Sequence, residues 1–329
     1  MTAQQLKKNI GIAVELIKKS KRIILACHMN PDGDAIGSML AFGHGLKKIG
    51  KTVIMLCPDK VPYRYDTLPG ARSIKQRYNR SAELAISIDC GSLSQLASLE
   101  RVFEESKRII EIDHHEYRTR FGDIQIIDRR VAAVGEIIRA ILLELKIPVD
   151  KKIAECLLTS ALVETSSFSR QEVNPATFEF CSQLMRLGID FHRISERYYW
   201  QKKLSAAHLS GLCLARVKTK ANKRLAWSIL YRKDFEKFRG SQEDVDPVPD
   251  DMMLIEDVQV VLLFREIANN MLRVSLRSSN RLDIGHLATL YGGGGHHNLA
   301  GCRIHNNRRT IERFINQACN LIYKNKREM

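Results

Sequence analysis

Three side chains able to hold a metal or carry a proton, His28, Asp32 and Asp34, lie within one run of seven residues. Asp89 follows further along, and Asp113, His114 and His115 stand together after it. Carboxylate oxygens with imidazole nitrogens suit Mn, Fe, Zn or Mg, and an aspartate set between two such ions can bridge them at about 3.5–4 Å. The elements that must deliver these groups are short. Ile23, Ile24 and Leu25 read as a buried strand that stops at His28. Asn30-Pro31 and Asp32-Gly33 are turn formers, and the span from Ala35 to Ile49 has helical apolar periodicity. On its own this loop reads equally well as a tight turn.

The same event recurs, and the recurrence separates the two readings. Leu84 to Ile88 is an apolar run ending in Asp89, and Ile109 to Ile112 is another ending in Asp113-His114-His115. Buried parallel strands are near-continuous apolar runs, and a carboxylate at the end of each is costly to bury unless paired or bound to a cation. One shared cation site satisfies all three strand ends. In an open α/β sheet the crevice beyond the carboxyl ends of the strands is where such a site is expected.

HMNPDGDAIGS from His28, SIDCGS around Asp89, DHHEYRTRFGD from Asp113 and GGGGHHNLAG from Gly292 resemble the motifs of the DHH/DHHA1 phosphoesterase family, in its order and spacing over nearly the whole chain. Within it the chain is most similar to short members that act as oligoribonucleases and 3′-phosphoadenosine 5′-phosphate phosphatases. The resemblance implies an α/β protein in two parts: an N-terminal doubly wound, mainly parallel sheet (the DHH domain) and a smaller C-terminal α/β domain (DHHA1), with the active site in the cleft between them. It implies two divalent metal ions, Mn²⁺ before Mg²⁺. One would be held by His28, Asp32 and Asp89, the other by Asp34, Asp89 and His114, with Asp89 bridging. Water shared by the ions would lose a proton to become the nucleophile. Asp113 would orient His114, and His115 would contact the phosphate or protonate the leaving oxygen. Arg277, Ser278, Gly293, Gly294, Gly295 and His296 match the substrate-binding motifs.

One position departs from the pattern. The family has Asp-Thr-Gly before a Phe as a further ligand of the second metal, whereas here the text is Val163-Glu164-Thr165-Ser166-Ser167-Phe168. Glu164 keeps the charge but adds a methylene. It ligates only if its chain folds back or the helix end shifts by roughly 1 Å, and displacement of that size can cost about 100-fold in rate.

Composition fits this reading. At 329 residues, 44% apolar and 27% charged, the chain is ordinary for a soluble two-domain protein. No apolar run is long enough to span a membrane and the N-terminus lacks a signal-peptide core, so a cytoplasmic enzyme without a membrane partner is expected. Eight cysteines without a C-x-x-C point to free thiols in a reducing compartment. Cys27 and Cys90 adjoin the metal loops, but oxygen and nitrogen ligands already suffice. The net charge is +15, and from Arg265 onward eleven Lys/Arg face four Asp/Glu. A basic second domain suits a polyanionic substrate.

Along the chain, Thr52 to Leu56 and Ile124 to Ile127 read as further strands, and 58–79 as a loop. Helices are expected near 95–106, 134–145, 153–163, 175–187 and 191–209. The domains are expected at 1–195 and 211–329, joined by a helical linker over 196–210. In the second domain 212–217, 225–231, 258–264 and 271–276 read as strands, and the acidic, proline-bearing 240–251 as a surface loop. His44 and His297 have no motif role.

The expected function is metal-dependent hydrolysis of short single-stranded RNA to mononucleotides, with 3′-phosphoadenosine 5′-phosphate as a second substrate; a homodimer is compatible with it. Two alternatives stand beside it. One is a phosphodiesterase of cyclic dinucleotides or their linear products, and the other a nucleotide- or RNA-binding protein weakened catalytically by Glu164.

Overall fold

The computed structural model describes residues 1–116, 118–268, 270–279, 282–295 and 297–325. The chain divides into two compact units, Met1–Gln201 and Lys202–Met329. In the first, α1 (Ala3–Lys19), β1 (Arg22–Cys27), α2 (Gly33–Lys48), β2 (Thr52–Leu56), β3 (Leu84–Ile88), α3 (Glu100–Glu104), β4 (Ile109–Asp113), β5 (Ile124–Ile127), α4 (Val134–Glu144), α5 (Lys151–Glu164), α6 (Pro175–Met185) and α7 (Phe191–Ser195) follow one another. The five strands form a parallel sheet in the order β2-β1-β3-β4-β5. Every residue of β3, and all of β1 after Arg22, is buried, which is why these strands are near-continuous apolar runs, interrupted only by Ser87. Helices α2, α4 and α5 pack on one face; Leu96, Leu99, Val102 and Phe103 cover the other.

The strand order places the site. From β1 the chain goes outward to β2 and returns on the other side to β3, so the crevice past the carboxyl ends of β1 and β3 is the topological switch point. Cys27 lies opposite Ile88, so the residues that follow them, His28 and Asp89, emerge side by side. Helix α2 approaches α5 unusually closely. Gly33 and Gly37 share one face of α2, and a Cβ on Gly37 would strike the Cys156 carbonyl and the Ser160 side chain.

The expected 95–106 helix is a 3₁₀ segment, Leu93–Leu99, kinked at Ala97 (φ 47°) and continued by α3. The expected 191–209 helix breaks into α7, a wide π turn at Glu196–Trp200, and α8 (Leu204–Ala215). Residues 196–210 are therefore no single linking helix. The strand expected at 212–217 is largely the end of α8, whose Leu209 and Cys213 enter the core of the second unit.

That unit continues with β6 (Lys218–Lys220), β7 (Leu225–Leu230), α9 (Arg232–Phe238), α10 (Val248–Met253), β8 (Val260–Ile267), β9 (Met271–Ser278), α11 (Ile284–Thr289), β10 (Gly294–Gly295), β11 (Leu299–His305) and α12 (Arg308–Asn325). Its six-stranded mixed sheet runs β10-β11-β9-β8-β7-β6, with only β7 and β8 parallel. The acidic segment 240–251 is not a surface loop. Val245, Val248 and Met252 are fully buried, and their packing against Val261 and Leu263 outweighs the surrounding charge. Among the described residues no helix is long and apolar enough to cross a membrane.

Replacing Gly37 with Ala should cost about 1–3 kcal/mol by overpacking α2 against α5, read as a lower denaturant midpoint with unchanged slope; Gly11→Ala, where a Cβ meets nothing, is the control.

Candidate metal centre

Asp89 is the hub. Its backbone is left-handed (φ 60°), a conformation uncommon for aspartate, and its N–H donates to the Ile112 carbonyl at 2.9 Å. The carboxylate is buried, with Oδ2 3.6 Å from His28 Nε2 and Oδ1 3.8 Å from His114 Nε2. Asp89 Oδ1 has no hydrogen-bond partner there. A buried carboxylate oxygen facing imidazole nitrogens beyond hydrogen-bond distance is what a cation between them would satisfy.

Each candidate ligand is aimed by a second contact. His28 Nδ1 lies 2.8 Å from the Met29 carbonyl, which sets Nδ1 as the donor and turns Nε2 toward Asp89. Asp32 caps α2, with Oδ1 accepting from the N–H groups of Asp34 (2.9 Å) and Ala35 (3.0 Å). Asp34, fully buried in the first turn of α2, accepts from Ser38 Oγ (2.9 Å), Ser160 Oγ (2.6 Å) and the Val134 N–H (2.8 Å). Sequence reasoning missed these three partners. Ser160 belongs to an apolar helix whose only hint was its small-residue surroundings, and a backbone N–H leaves no trace in composition. His114 Nε2 lies 3.8 Å from Asp34 Oδ2 and 4.0 Å from Glu164 Oε1. Glu164, the last residue of α5, thus has the reach to join the second set.

Two candidate ligand sets share Asp89: His28, Asp32 and Asp89, whose ligand atoms gather within 4.8 Å, and Asp34, Asp89, His114 and Glu164 at the distances given. These donors fit divalent cations that favour oxygen with some nitrogen. His115, Asp89 and His114 also gather within 4.8 Å, but His115 Nδ1 is 2.6 Å from Asp113 Oδ1. We read His115 as a proton-bearing group. Here the role expected for Asp113 changes. Its Oδ1 holds the His115 ring and the N–H groups of His114 (2.8 Å) and His115 (3.2 Å), while the His114 ring turns Nδ1 toward the Val131 carbonyl at 3.4 Å. Beneath them the fully buried Glu111 pairs with Arg118 and accepts from the N–H groups of Phe121 (2.7 Å) and Gly122, pinning the loop that carries both histidines.

The electrostatics reflect crowded acid. Burial, then the Asp89 charge, pushes Asp34 up to about 7. Burial and the charges of Asp32, Asp34 and Asp89 push Glu164 well above the usual carboxylate range. Burial works against protonating His28 and His115, but Asp89 and Asp32 raise the first to about 9 and Asp113 and Asp89 raise the second to about 10. Asp89 and Asp113 stay below the ordinary range despite burial, because the histidines around them compensate.

In the second unit Arg277 Nε donates to Asp250 Oδ1 at 2.7 Å, and the buried Ser278 gives its hydroxyl to the Leu282 carbonyl at 2.6 Å. Gly293 and Gly295 are required by their own fold. A Cβ on either would strike β11, and Gly295 has φ 142°, whereas Gly294 is open. His296 lies outside the described residues.

Two family models match the chain: the DHH family N-terminal domain over residues 22–161 and the DHHA1 domain over 222–324. The chain is a DHH/DHHA1 protein. The family assignment makes it a hydrolase of phosphoester bonds. It is 26% identical over 286 residues to the bifunctional oligoribonuclease and PAP phosphatase NrnA of Thermus thermophilus, covering 86% of this chain and 84% of that protein. It is also 26% identical to the NrnA of Bacillus subtilis, with 86% and 89% covered. The crystal structure of an exopolyphosphatase-related protein from Bacteroides fragilis superposes with a TM-score of 0.89 at 24% identity, over 96% of this chain and 98% of that one, and so shares the fold.

Without cations, the stabilising charge of His28 and His115 is complete below the ordinary histidine pKa of about 6.5 and is lost as pH rises through about 9 and about 10. Asp34 acts in the same direction at lower pH: raised to about 7 in the fold, its contribution is lost between the ordinary aspartate range near 3.8 and about 7. A cation held by His28 needs that imidazole deprotonated, so its affinity would climb as pH rises toward about 9 and its binding would release protons. Thermal unfolding in EDTA and in Mn²⁺, followed from about pH 6 to about pH 10, should show a gap that widens with pH; a constant gap would contradict the assignment.

Proposed function

We propose that this protein hydrolyses short single-stranded oligoribonucleotides to mononucleotides and removes the 3′-phosphate of 3′-phosphoadenosine 5′-phosphate, with two divalent cations, Mn²⁺ before Mg²⁺. The observation that supports it most is Asp89, whose two oxygens face His28 and His114 and so belong to both ligand sets. The NrnA relatives carry both activities in their names.

His28, Asp32 and Asp89 would hold one ion, and Asp34, Asp89, His114 and Glu164 the other. Such a pair polarises a phosphoryl oxygen and lowers the pKa of water. The chain's own residues do the rest. The carboxylates set the charge of the site, and Ser38, Ser160 and the Val134 N–H keep Asp34 from turning away. His115, with Nδ1 fixed by Asp113 and its protonated form favoured by the Asp113 and Asp89 carboxylates, can pass a proton from Nε2 to the leaving oxygen. Arg277 binds a substrate phosphate, competing for it with Asp250, and the glycine-rich loop supplies backbone N–H groups. Contacts of this kind read phosphate and not base, so little sequence preference is expected.

Product release is measured from RNA of two to five nucleotides, a longer RNA, 3′-phosphoadenosine 5′-phosphate and a cyclic dinucleotide, in Mn²⁺ and in Mg²⁺. Mononucleotides should appear fastest from the short RNAs, and Asp89→Ala should lower kcat by roughly 1,000-fold or more, since both ligand sets lose a member. Turnover confined to the cyclic dinucleotide would reject the proposal.

Arg277→Ala should raise KM about tenfold with a smaller effect on kcat, whereas Asp250→Asn should lower KM by removing the competing carboxylate. Steady-state kinetics on a trinucleotide checks both.

A further inference from the structure

The sheet of the second unit has two unlike faces. Val260, Leu262 and Phe264 of β8, Leu272, Val274 and Leu276 of β9, and Ala300, Cys302 and Ile304 of β11 are buried in one apolar core. The alternate residues look the other way, and the register lines them up in rows across the strands. Arg265 lies opposite Arg273, which lies opposite Arg303. The next row is Leu263, Ser275, Gly301 and Gly294, and the one after it Val261, Arg277 and Leu299.

Three arginines side by side are unfavourable by themselves, because like charges directly opposite on neighbouring strands repel. Arg265 is neutralised: it is fully buried and donates to Asp246 Oδ1 (2.5 Å), to the Gln242 carbonyl (2.9 Å) and to Ser275 Oγ (2.7 Å). Arg277 faces Asp250. Arg273 has an interaction of its own, whereas Arg303 is exposed, and among the described residues no carboxylate lies within ion-pair distance of Arg303. Between the Arg277 row and the Arg273–Arg303 row the floor is Gly301 and Gly294, beside Ser275 whose hydroxyl is taken by Arg265; a Cβ on Gly294 would meet nothing. Four residues of strand separate Arg277 from Arg273, about 13 Å, more than one nucleotide bridges.

We propose that Arg273 and Arg303 form a second phosphate subsite, for the phosphodiester backbone of a single-stranded RNA whose leading phosphate is held at Arg277. The small-residue floor between them accommodates the intervening sugar. This rests on the reading of Arg277 as a phosphate ligand. It adds a length rule: a strand of three or more nucleotides reaches the second subsite, whereas a dinucleotide or 3′-phosphoadenosine 5′-phosphate does not.

The test uses the full chain carrying Asp89→Asn to stop turnover, in Mg²⁺, with 5′-fluorescein-labelled diadenylate and pentaadenylate followed by fluorescence anisotropy as salt is varied. Arg303→Gln should weaken pentaadenylate roughly tenfold more than diadenylate at low salt. It should also take about 0.7 off the slope of log affinity against log salt for pentaadenylate. Arg303→Lys should restore the slope, which a merely structural role would not predict. Equal losses for the two lengths, or an unchanged slope, would overturn the subsite while leaving the activity reading intact. A parent chain that binds neither RNA would overturn both.

Discussion

The structure depends on keeping a carboxylate charged where water is nearly absent. Asp89 sits at the end of a strand buried along its whole length, and taking such an ion out of water costs several kcal/mol unless opposite charge surrounds it. His28, His114 and His115 come from the ends of two neighbouring strands, so the charge is met only when β1, β3 and β4 are in register. The left-handed backbone of Asp89 turns the chain out of the sheet at the one position where its carboxylate can face all three rings. The near-continuous apolar strands and the strand order β2-β1-β3-β4-β5 both serve that placement.

The helical layer carries the second half of the site. Asp34 is fixed from three elements at once: Ser38 on its own helix, Ser160 on α5, and the Val134 N–H at the start of α4. This works only because α2 carries glycine where it crosses α5 and α4 carries Gly135 against Ser160. The close packing of three helices and the orientation of one ligand are thus the same feature. A side chain at either glycine would move Asp34 as well as disturb the core.

Much of this was legible in the sequence because it is periodic or local. The runs Ile23–Leu25, Leu84–Ile88 and Ile109–Ile112 each end in a ligand type, and a strand end is a place where sequence position and spatial position coincide. The misreadings have the opposite character. Residues 212–217 form a six-residue stretch, apolar except for Arg216, too short to distinguish two-residue from helical periodicity, and the preceding turns of α8 decide it. The segment 240–251 looked solvated because it is acidic, yet Asp246 and Asp250 are there to meet Arg265 and Arg277 while Val245, Val248 and Met252 fill the core. The partner of Asp113 depended on side-chain direction: adjacent His114 and His115 meet edge to face, their rings nearly perpendicular, and the pattern of residue types does not say which ring the carboxylate takes.

Glu164 shows how a substitution can be absorbed. It ends α5, the helix held against α2 by Gly33 and Gly37, so its Cα is fixed by core packing and is not free to retreat by a methylene's length. The longer side chain nonetheless brings Oε1 to 4.0 Å from His114 Nε2, beside the Asp34 and Asp89 oxygens that lie 3.8 Å from the same nitrogen. Three carboxylates converging on one imidazole are sustainable only if protons or cations share the space, and burial with mutual repulsion already drives Glu164 and Asp34 toward their neutral forms. A cation held there by Asp34, Asp89 and Glu164 would take the place of those protons and offset the repulsion. On the proposed reading the extra methylene bears on which ion sits best, through reach and flexibility, because the position keeps the charge an ion requires.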